Sequence, residues 1–574
     1  MTAGGAVGPE DTFDAVVVGS GFGGAVTAYR LAAAGWRVLV LERGRPWPPG
    51  SFPRAPRRLQ QAFWDPPSGR HGLFDIWAFS GMNVVTASGL GGGSLIYSNV
   101  MLRKPASTFA GTDTEHWPLT RAELNRHYDN VRDVQRPQVY PADVAPYDEA
   151  GRVAALEDAA GRLGHEVCRP PLAVLFAPER GEAPVPRTPV DGPVASLHGL
   201  PRATCRLCAE CNLGCNDGAK QTVDHTYLSR AVDPALEHPA QIRTLCEVRT
   251  LTALGDGDGG GWAVGYRQHT DGLDGVAAGL RDPSAETERT VRAAHFVLSA
   301  GTVGTTRLLL RNRAALPRLS PALGRRVSGN GDLLMFARDT REGEPRDSGR
   351  PWRYLDPSFG PAISTSVHVP AARSSSGREY YVQDSGAPAF TEWMWQGVEL
   401  PHDLWAERGV AWHRLKDRLT GHRDPNVSAE LAGLFGSAHA SAAMMPMLGM
   451  GQDVADGRLH LDGDGRLDLD WSPKASGPHY DALRTTAAEL TRAMGGEFSV
   501  PKSAHLTTVH PVGGCAMAED ATGGVVDPWG RVHGHPGLHV ADGSVMPGPV
   551  GPNPSFTIAA LADRFAEQMI EDGR

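Results

Sequence analysis

The stretch that most constrains this 574-residue chain lies near its start. Asp14-Ala15-Val16-Val17-Val18 is a short, β-branched apolar run, the pattern of a strand buried on both faces. It runs directly into Gly19-Ser20-Gly21-Phe22-Gly23-Gly24, and a helical pattern follows from Ala25 to Ala34, with Gly35 placed to end it. A second apolar run, Arg37-Val38-Leu39-Val40-Leu41, closes on Glu42. Strand, glycine turn, helix, strand and acid in this order make a dinucleotide site. Gly19 permits the tight turn, Gly21 lets backbone approach a pyrophosphate, and Gly24 lets helix and strand pack closely. The helix N-terminus presents free N–H groups to the phosphates, and Glu42 is placed to accept hydrogen bonds from ribose hydroxyls.

This unit occupies a small part of the chain. At 41% hydrophobic and 21% charged residues, the composition is that of a globular protein too long for one core, so two or more domains are expected. The 69 glycines and 45 prolines follow no repeat period and read as loops and turns. The formal net charge is −9 with no basic cluster, which argues against nucleic acid as a partner. Met1 to Phe13 lacks the basic start and apolar core of an export signal. No apolar run reaches the roughly 18 residues a transmembrane helix needs. The expectation is a soluble, cytoplasmic protein with no transmembrane segment.

Three further blocks bear on function. Gly89-Leu90-Gly91-Gly92-Gly93-Ser94-Leu95-Ile96-Tyr97-Ser98-Asn99 offers bare backbone N–H groups in a concavity suited to a flat ring or a phosphate. Phe296 to Leu310 is another strand, glycine turn and helix. Near the C-terminus, Leu538 to Ser544 precedes Val550-Gly551-Pro552-Asn553-Pro554 and a helix from Ser555 to about Gln568. Together these blocks resemble the glucose–methanol–choline (GMC) oxidoreductase family, particularly its cholesterol-oxidase-like branch.

The resemblance implies FAD as cofactor, with Gly92, Gly93, Ser94 and Asn99 beside the flavin and Asp542 at its ribityl–pyrophosphate region. It implies an α/β fold in which a Rossmann-type FAD-binding domain (1–135, 205–335 and 500–574) carries a discontinuous α+β substrate domain (136–204 and 336–499) built on an antiparallel sheet. The family's reaction takes a hydride from a carbinol carbon to flavin N5 and removes the hydroxyl proton. Such chemistry needs an acceptor with a pKa near neutrality. His510, in Val509-His510-Pro511-Val512-Gly513-Gly514, is the candidate base, and Asn553, which cannot take a proton, would hydrogen-bond the substrate oxygen. Glu392, in an aromatic setting that could raise its pKa, is considered for a third polar group, but an exposed acid on an amphipathic helix explains it better. Trp393, Trp395, Trp405 and Trp412, with Met444, Met445, Met447 and Met450, would wall an apolar pocket if they converge, and core packing explains them equally well. The favoured substrate is a small hydrophobic alcohol, sterol-like or terpenoid. A non-catalytic flavoprotein on the same fold is disfavoured by the presence of both His510 and Asn553.

Four of the seven cysteines, Cys205, Cys208, Cys211 and Cys215, fall in one short segment. Their C-x₂-C-x₂-C-x₃-C spacing resembles the bacterial ferredoxin run that wraps an iron–sulfur cluster, with Arg206 and Lys220 near enough to offset thiolate charge. Asn216 departs from that run, which has Pro there. Zinc usually takes two short ligand pairs a dozen or more residues apart, and a loop of buried thiols or a local disulfide is the remaining alternative. An iron–sulfur cluster would favour a dehydrogenase that passes electrons to an acceptor protein or a quinone.

Overall fold

The computed structural model describes residues 11–573 apart from 110–114, 192–194, 256–259, 270–286, 343–350, 390–438 and 502–504. Glu392, Trp393, Trp395, Trp405 and Trp412 lie outside the described residues.

The molecule is mixed α/β and rests on two large sheets. In the first, β1 (Thr12–Val18) lies between β2 (Val38–Leu41) and the long strand Thr287–Leu298, parallel to both. Gln241–Arg243 extends the parallel part beyond β2, and Leu538–Val540 pairs in parallel with the end of Thr287–Leu298. Two antiparallel strands, Trp262–Gln268 and Cys246–Ala253, complete the sheet on the far side. Val16, Val17, Leu39, Val40 and Phe296 are all fully buried, as strands covered on both faces require. Helix α1 (Phe22–Ala33) follows β1 and packs in the same core as the C-terminal helix Ser555–Asp572. Gly35, just past α1, has φ +87°, the left-handed conformation that a helix-ending glycine supplies.

The second sheet is antiparallel throughout, in the order Glu497–Ser499, Leu333–Arg338, Met445–Gly451, Tyr380–Asp384, Ser366–Val369, Glu166–Cys168. Its side chains alternate between two faces. Leu333, Met335, Ala337, Val367, Val369, Tyr380, Val382, Met445 and Met447 share one core with helices Gly151–Arg162 and Gly477–Ala493. Met445 and Met447 therefore fill this core and wall no pocket. The opposite face carries Gln383 and Ser366. The cysteine segment belongs to neither of these cores, since Cys205, Leu207 and Ala219 pack with Val100, Tyr140 and Phe176 in a third cluster. Among the described residues no helix is long and apolar enough to cross a membrane.

Candidate active site and cysteine pocket

The Gly19–Gly24 turn meets the steric demands of its motif. Gly19 has φ +93°, and a Cβ there would stand 2.3 Å from the Ser299 carbonyl oxygen. A Cβ on Gly24 would stand 2.0 Å from the Gly19 carbonyl oxygen, so helix and strand touch at this glycine. At Gly21, by contrast, a Cβ would meet nothing nearer than Gly92 Cα at 3.9 Å, which leaves the open face a pyrophosphate needs. Gly92, at φ +53°, presses the second glycine loop against this turn, and Gly93 faces open space. Ser94 holds that loop, donating to the Gly91 carbonyl at 2.7 Å and accepting from the Val223 N–H at 3.1 Å. Glu42 is buried and accepts from Ser20 N and Oγ and from Gly44 N, which ties the end of β2 to the turn.

Asp542 and Asn99 behave differently. The Asp542 carboxylate accepts from Ser544 N and Oγ and from Gly301 N and Thr305 Oγ1. Its carboxylate thus shapes two turns. Asn99 is fully buried at φ +70°, and apart from a weak contact with the Cys211 thiol its amide lacks a hydrogen-bond partner among the described residues. Gly21 and Gly93 leave an open cradle, and the unpaired buried Asn99 amide can hydrogen-bond a bound group. These residues fit FAD.

His510 sits where three distant segments meet. Its Nδ1 is 2.8 Å from Asp332 Oδ1, and Asp332 is buried. The other oxygen of Asp332 accepts from Val509 N and lies 2.9 Å from Thr508 Oγ1. A carboxylate facing Nδ1 keeps the ring hydrogen there and leaves the lone pair on Nε2, which has no hydrogen-bond partner among the described residues. The adjoining Asn330 accepts from Val550 N at 2.8 Å and donates to the Pro552 carbonyl at 3.1 Å, which fixes the backbone just before Asn553. Asn553 is buried, and its Oδ1 accepts from Gln383 Nε2 at 3.1 Å. The segment Ser328-Gly329-Asn330-Gly331-Asp332 is thus the bracket that holds both candidate residues, and sequence reading did not single it out. Its run of small and polar residues was the available signal. Beneath it Asp453 accepts from Gly329 N at 3.0 Å and from Ser328 Oγ, and burial pushes its carboxyl up to about 7. Val509, the residue before His510, is 49% exposed, and Leu334, two residues from Asp332, is 44% exposed.

The four clustered cysteines line one small cavity with Lys220 and Gly360. All seven cysteines are free, so no local disulfide closes this loop. Burial raises the Cys205 and Cys211 thiols and pushes Cys208 up to about 11. Leu207 and Ala209 adopt left-handed backbone, at φ 63° and 51°, where non-glycine residues are strained. Asn216, at the departure from the ferredoxin run, holds both backbone groups of Phe52 with its amide. No three of the thiol sulfurs lie within 4.8 Å of one another; His198, Asp224 and His225 form the one group that tight among the described residues. The pocket also touches the second glycine loop. Lys220, lowered to about 8 by burial, donates to the carbonyls of Leu95, Tyr97 and Cys211, and Ser98 Oγ donates to Asn212 Oδ1 at 2.8 Å.

Fold and site together define a flavin-dependent oxidoreductase. Family models described as GMC oxidoreductase match residues 201–328 and 433–562, and one described as FAD dependent oxidoreductase matches residues 14–167. A cholesterol oxidase of Mycobacterium tuberculosis is 29% identical over 96% of this chain and 90% of its own length. Paromamine 6'-oxidase of Streptomyces fradiae is 26% identical over 98% and 92% respectively. The structure of a fungal aryl-alcohol oxidase superposes with a TM-score of 0.58, covering 98% of this chain and 99% of that one, at 16% identity. The chain carries GMC oxidoreductase family domains, is similar to cholesterol oxidases over nearly its whole length, and is an FAD-dependent alcohol oxidoreductase.

Proposed function

We propose that this enzyme oxidises the CH–OH group of a hydrophobic alcohol, sterol-like or terpenoid, to a carbonyl. The observation that carries the reading is the Asp332–His510 pair, which holds the ring through Nδ1 and leaves Nε2 free. Bound FAD supplies the hydride acceptor. His510 Nε2 takes the hydroxyl proton, and Asp332 stabilises the imidazolium that results. Asn553 donates to the substrate oxygen as charge develops on it. An anaerobic screen of sterols, terpenoid and aliphatic alcohols and sugars, followed by loss of the oxidised-flavin absorbance, tests this. Hydrophobic alcohols should bleach the wild type fastest, and His510→Ala should retain FAD but bleach far more slowly. Faster bleaching by sugars, or an unaffected His510→Ala, would reject the reading.

One observation favours a second reading of where the electrons go. Cys205, Cys208, Cys211 and Cys215 line one cavity that adjoins the glycine loop, and we propose that they hold an iron–sulfur cluster. A tetrahedral zinc at thiolate distances of about 2.3 Å would draw its sulfurs to about 3.8 Å apart, closer than these stand. A cluster binds its thiolates on separate irons and spans more space. On this reading the enzyme is a dehydrogenase that passes electrons to an acceptor protein or a quinone. Iron and acid-labile sulfide measured on oxygen-free protein, beside Cys208→Ser, decide it. Fully flavinated, active protein containing neither element would reject the cluster.

A further inference from the structure

We infer that Gln383 is a positioning residue that sets which way the Asn553 amide points. The inference rests on the reading that Asn553 meets the substrate oxygen. Gln383 is fully buried on the strand Tyr380–Asp384, on the face turned away from the helices that cover the second sheet. Its Nε2 donates to Asn553 Oδ1 at 3.1 Å and lies 3.4 Å from Ser366 Oγ, while its own Oε1 is buried without a partner among the described residues.

Two sets of contacts therefore act on one short segment. Asn330 clamps the backbone of Val550–Pro552, and Gln383 occupies the side-chain oxygen of the next residue. An Asn side chain has one accepting and one donating end, and a half-turn exchanges them. With Oδ1 held by Gln383, the Nδ2 hydrogens are left for the reacting oxygen. The reverse orientation would set a carbonyl oxygen against an oxygen gaining negative charge, which is repulsive. Gln383 thus carries the substrate-side sheet's geometry into the segment that closes the flavin domain. An amide suits this task because it donates at every pH. A carboxylate at 383 would accept instead, turn Asn553 around, and recover a donor only when protonated.

The experiment uses flavinated holoenzyme and the alcohol that bleaches the wild type fastest in the screen above, with anaerobic flavin reduction followed over a range of pH. Gln383→Glu should reduce its flavin at least tenfold more slowly than wild type at neutral pH. The ratio of variant to wild-type rate should rise as pH falls and the introduced carboxyl gains its proton. Gln383→Met, of similar volume but without a donor, should be slowed by a similar factor at every pH. Asn553→Ala, run beside them, separates the two ideas. If Asn553→Ala reduces its flavin at the wild-type rate, the reading of Asn553 fails. If it is slow while Gln383→Met matches wild type, or if the Gln383→Glu ratio is flat with pH, the positioning role is overturned. Should Gln383→Glu lose its flavin, the Gln383→Met and Asn553→Ala arms still decide.

Discussion

Replacing Asp332 with Asn tests the proton-transfer arrangement more sharply than removing His510. The native carboxylate serves three partners at once, Thr508 Oγ1 among them. One oxygen faces His510 Nδ1 at 2.8 Å, and the other accepts from the Val509 N–H at 2.9 Å. Asn has a single oxygen. The Val509 N–H can only donate, and leaving it unpaired costs roughly 1–3 kcal/mol, so the oxygen stays there. The NH₂ group then faces His510 Nδ1, which must become the acceptor, and the ring hydrogen moves to Nε2. The base is occupied. The expected loss in flavin reduction is about 10²–10⁴-fold, the usual worth of a positioned acid–base group. That range corresponds to about 3–5 kcal/mol of barrier. Asp332→Ala imposes no tautomer, so it should be the faster enzyme of the two while being the less stable. Anaerobic stopped-flow reduction together with thermal unfolding measures both quantities. Asp332→Asn reducing its flavin as fast as wild type, or faster than Asp332→Ala, would refute the tautomer argument.

Three further outcomes follow from the geometry. Gly21→Val should fold but purify without FAD, because its side chain enters open space, whereas Gly24→Val should not accumulate as folded protein, because its Cβ meets the Gly19 carbonyl; flavin absorbance and circular dichroism distinguish the two. Asp453 has its carboxyl raised by burial from 3.8 to about 7, so between those values the folded protein holds a proton that the unfolded chain has released. Stability should therefore fall as pH rises through this interval, by up to about 4 kcal/mol, and Asp453→Asn should flatten that slope between about pH 4 and 7 in thermal unfolding. Lys220→Met should strand the buried carbonyls of Leu95, Tyr97 and Cys211, lowering stability by about 2–4 kcal/mol in denaturant titrations and loosening FAD retention, since it unpins the glycine loop from the cysteine loop.

The dinucleotide unit and the cysteine spacing were legible in the amino-acid sequence because their determinants are local. A glycine turn between two apolar runs, or four thiols within eleven residues, is specified by neighbours along the chain. Even there the boundaries moved: α1 begins at Phe22, inside the Gly19–Gly24 run, and the last helix runs on to Asp572. What decides the site is long-range. Asp332 reaches His510 across 178 residues, and Gln383 reaches Asn553 across 170. A lone Asp or Gln carries no periodicity that marks it, so only the packing of the two sheets gives either residue its meaning. The same holds for Met445 and Met447. Their composition suited a substrate pocket, but strand alternation and the helix Gly477–Ala493 turned them into core. Local chemistry determined that this chain binds a dinucleotide and gathers thiols. Tertiary structure decided which acid orients the histidine and which amide faces the asparagine, because a hydrogen bond depends on distance in space and not on distance along the chain.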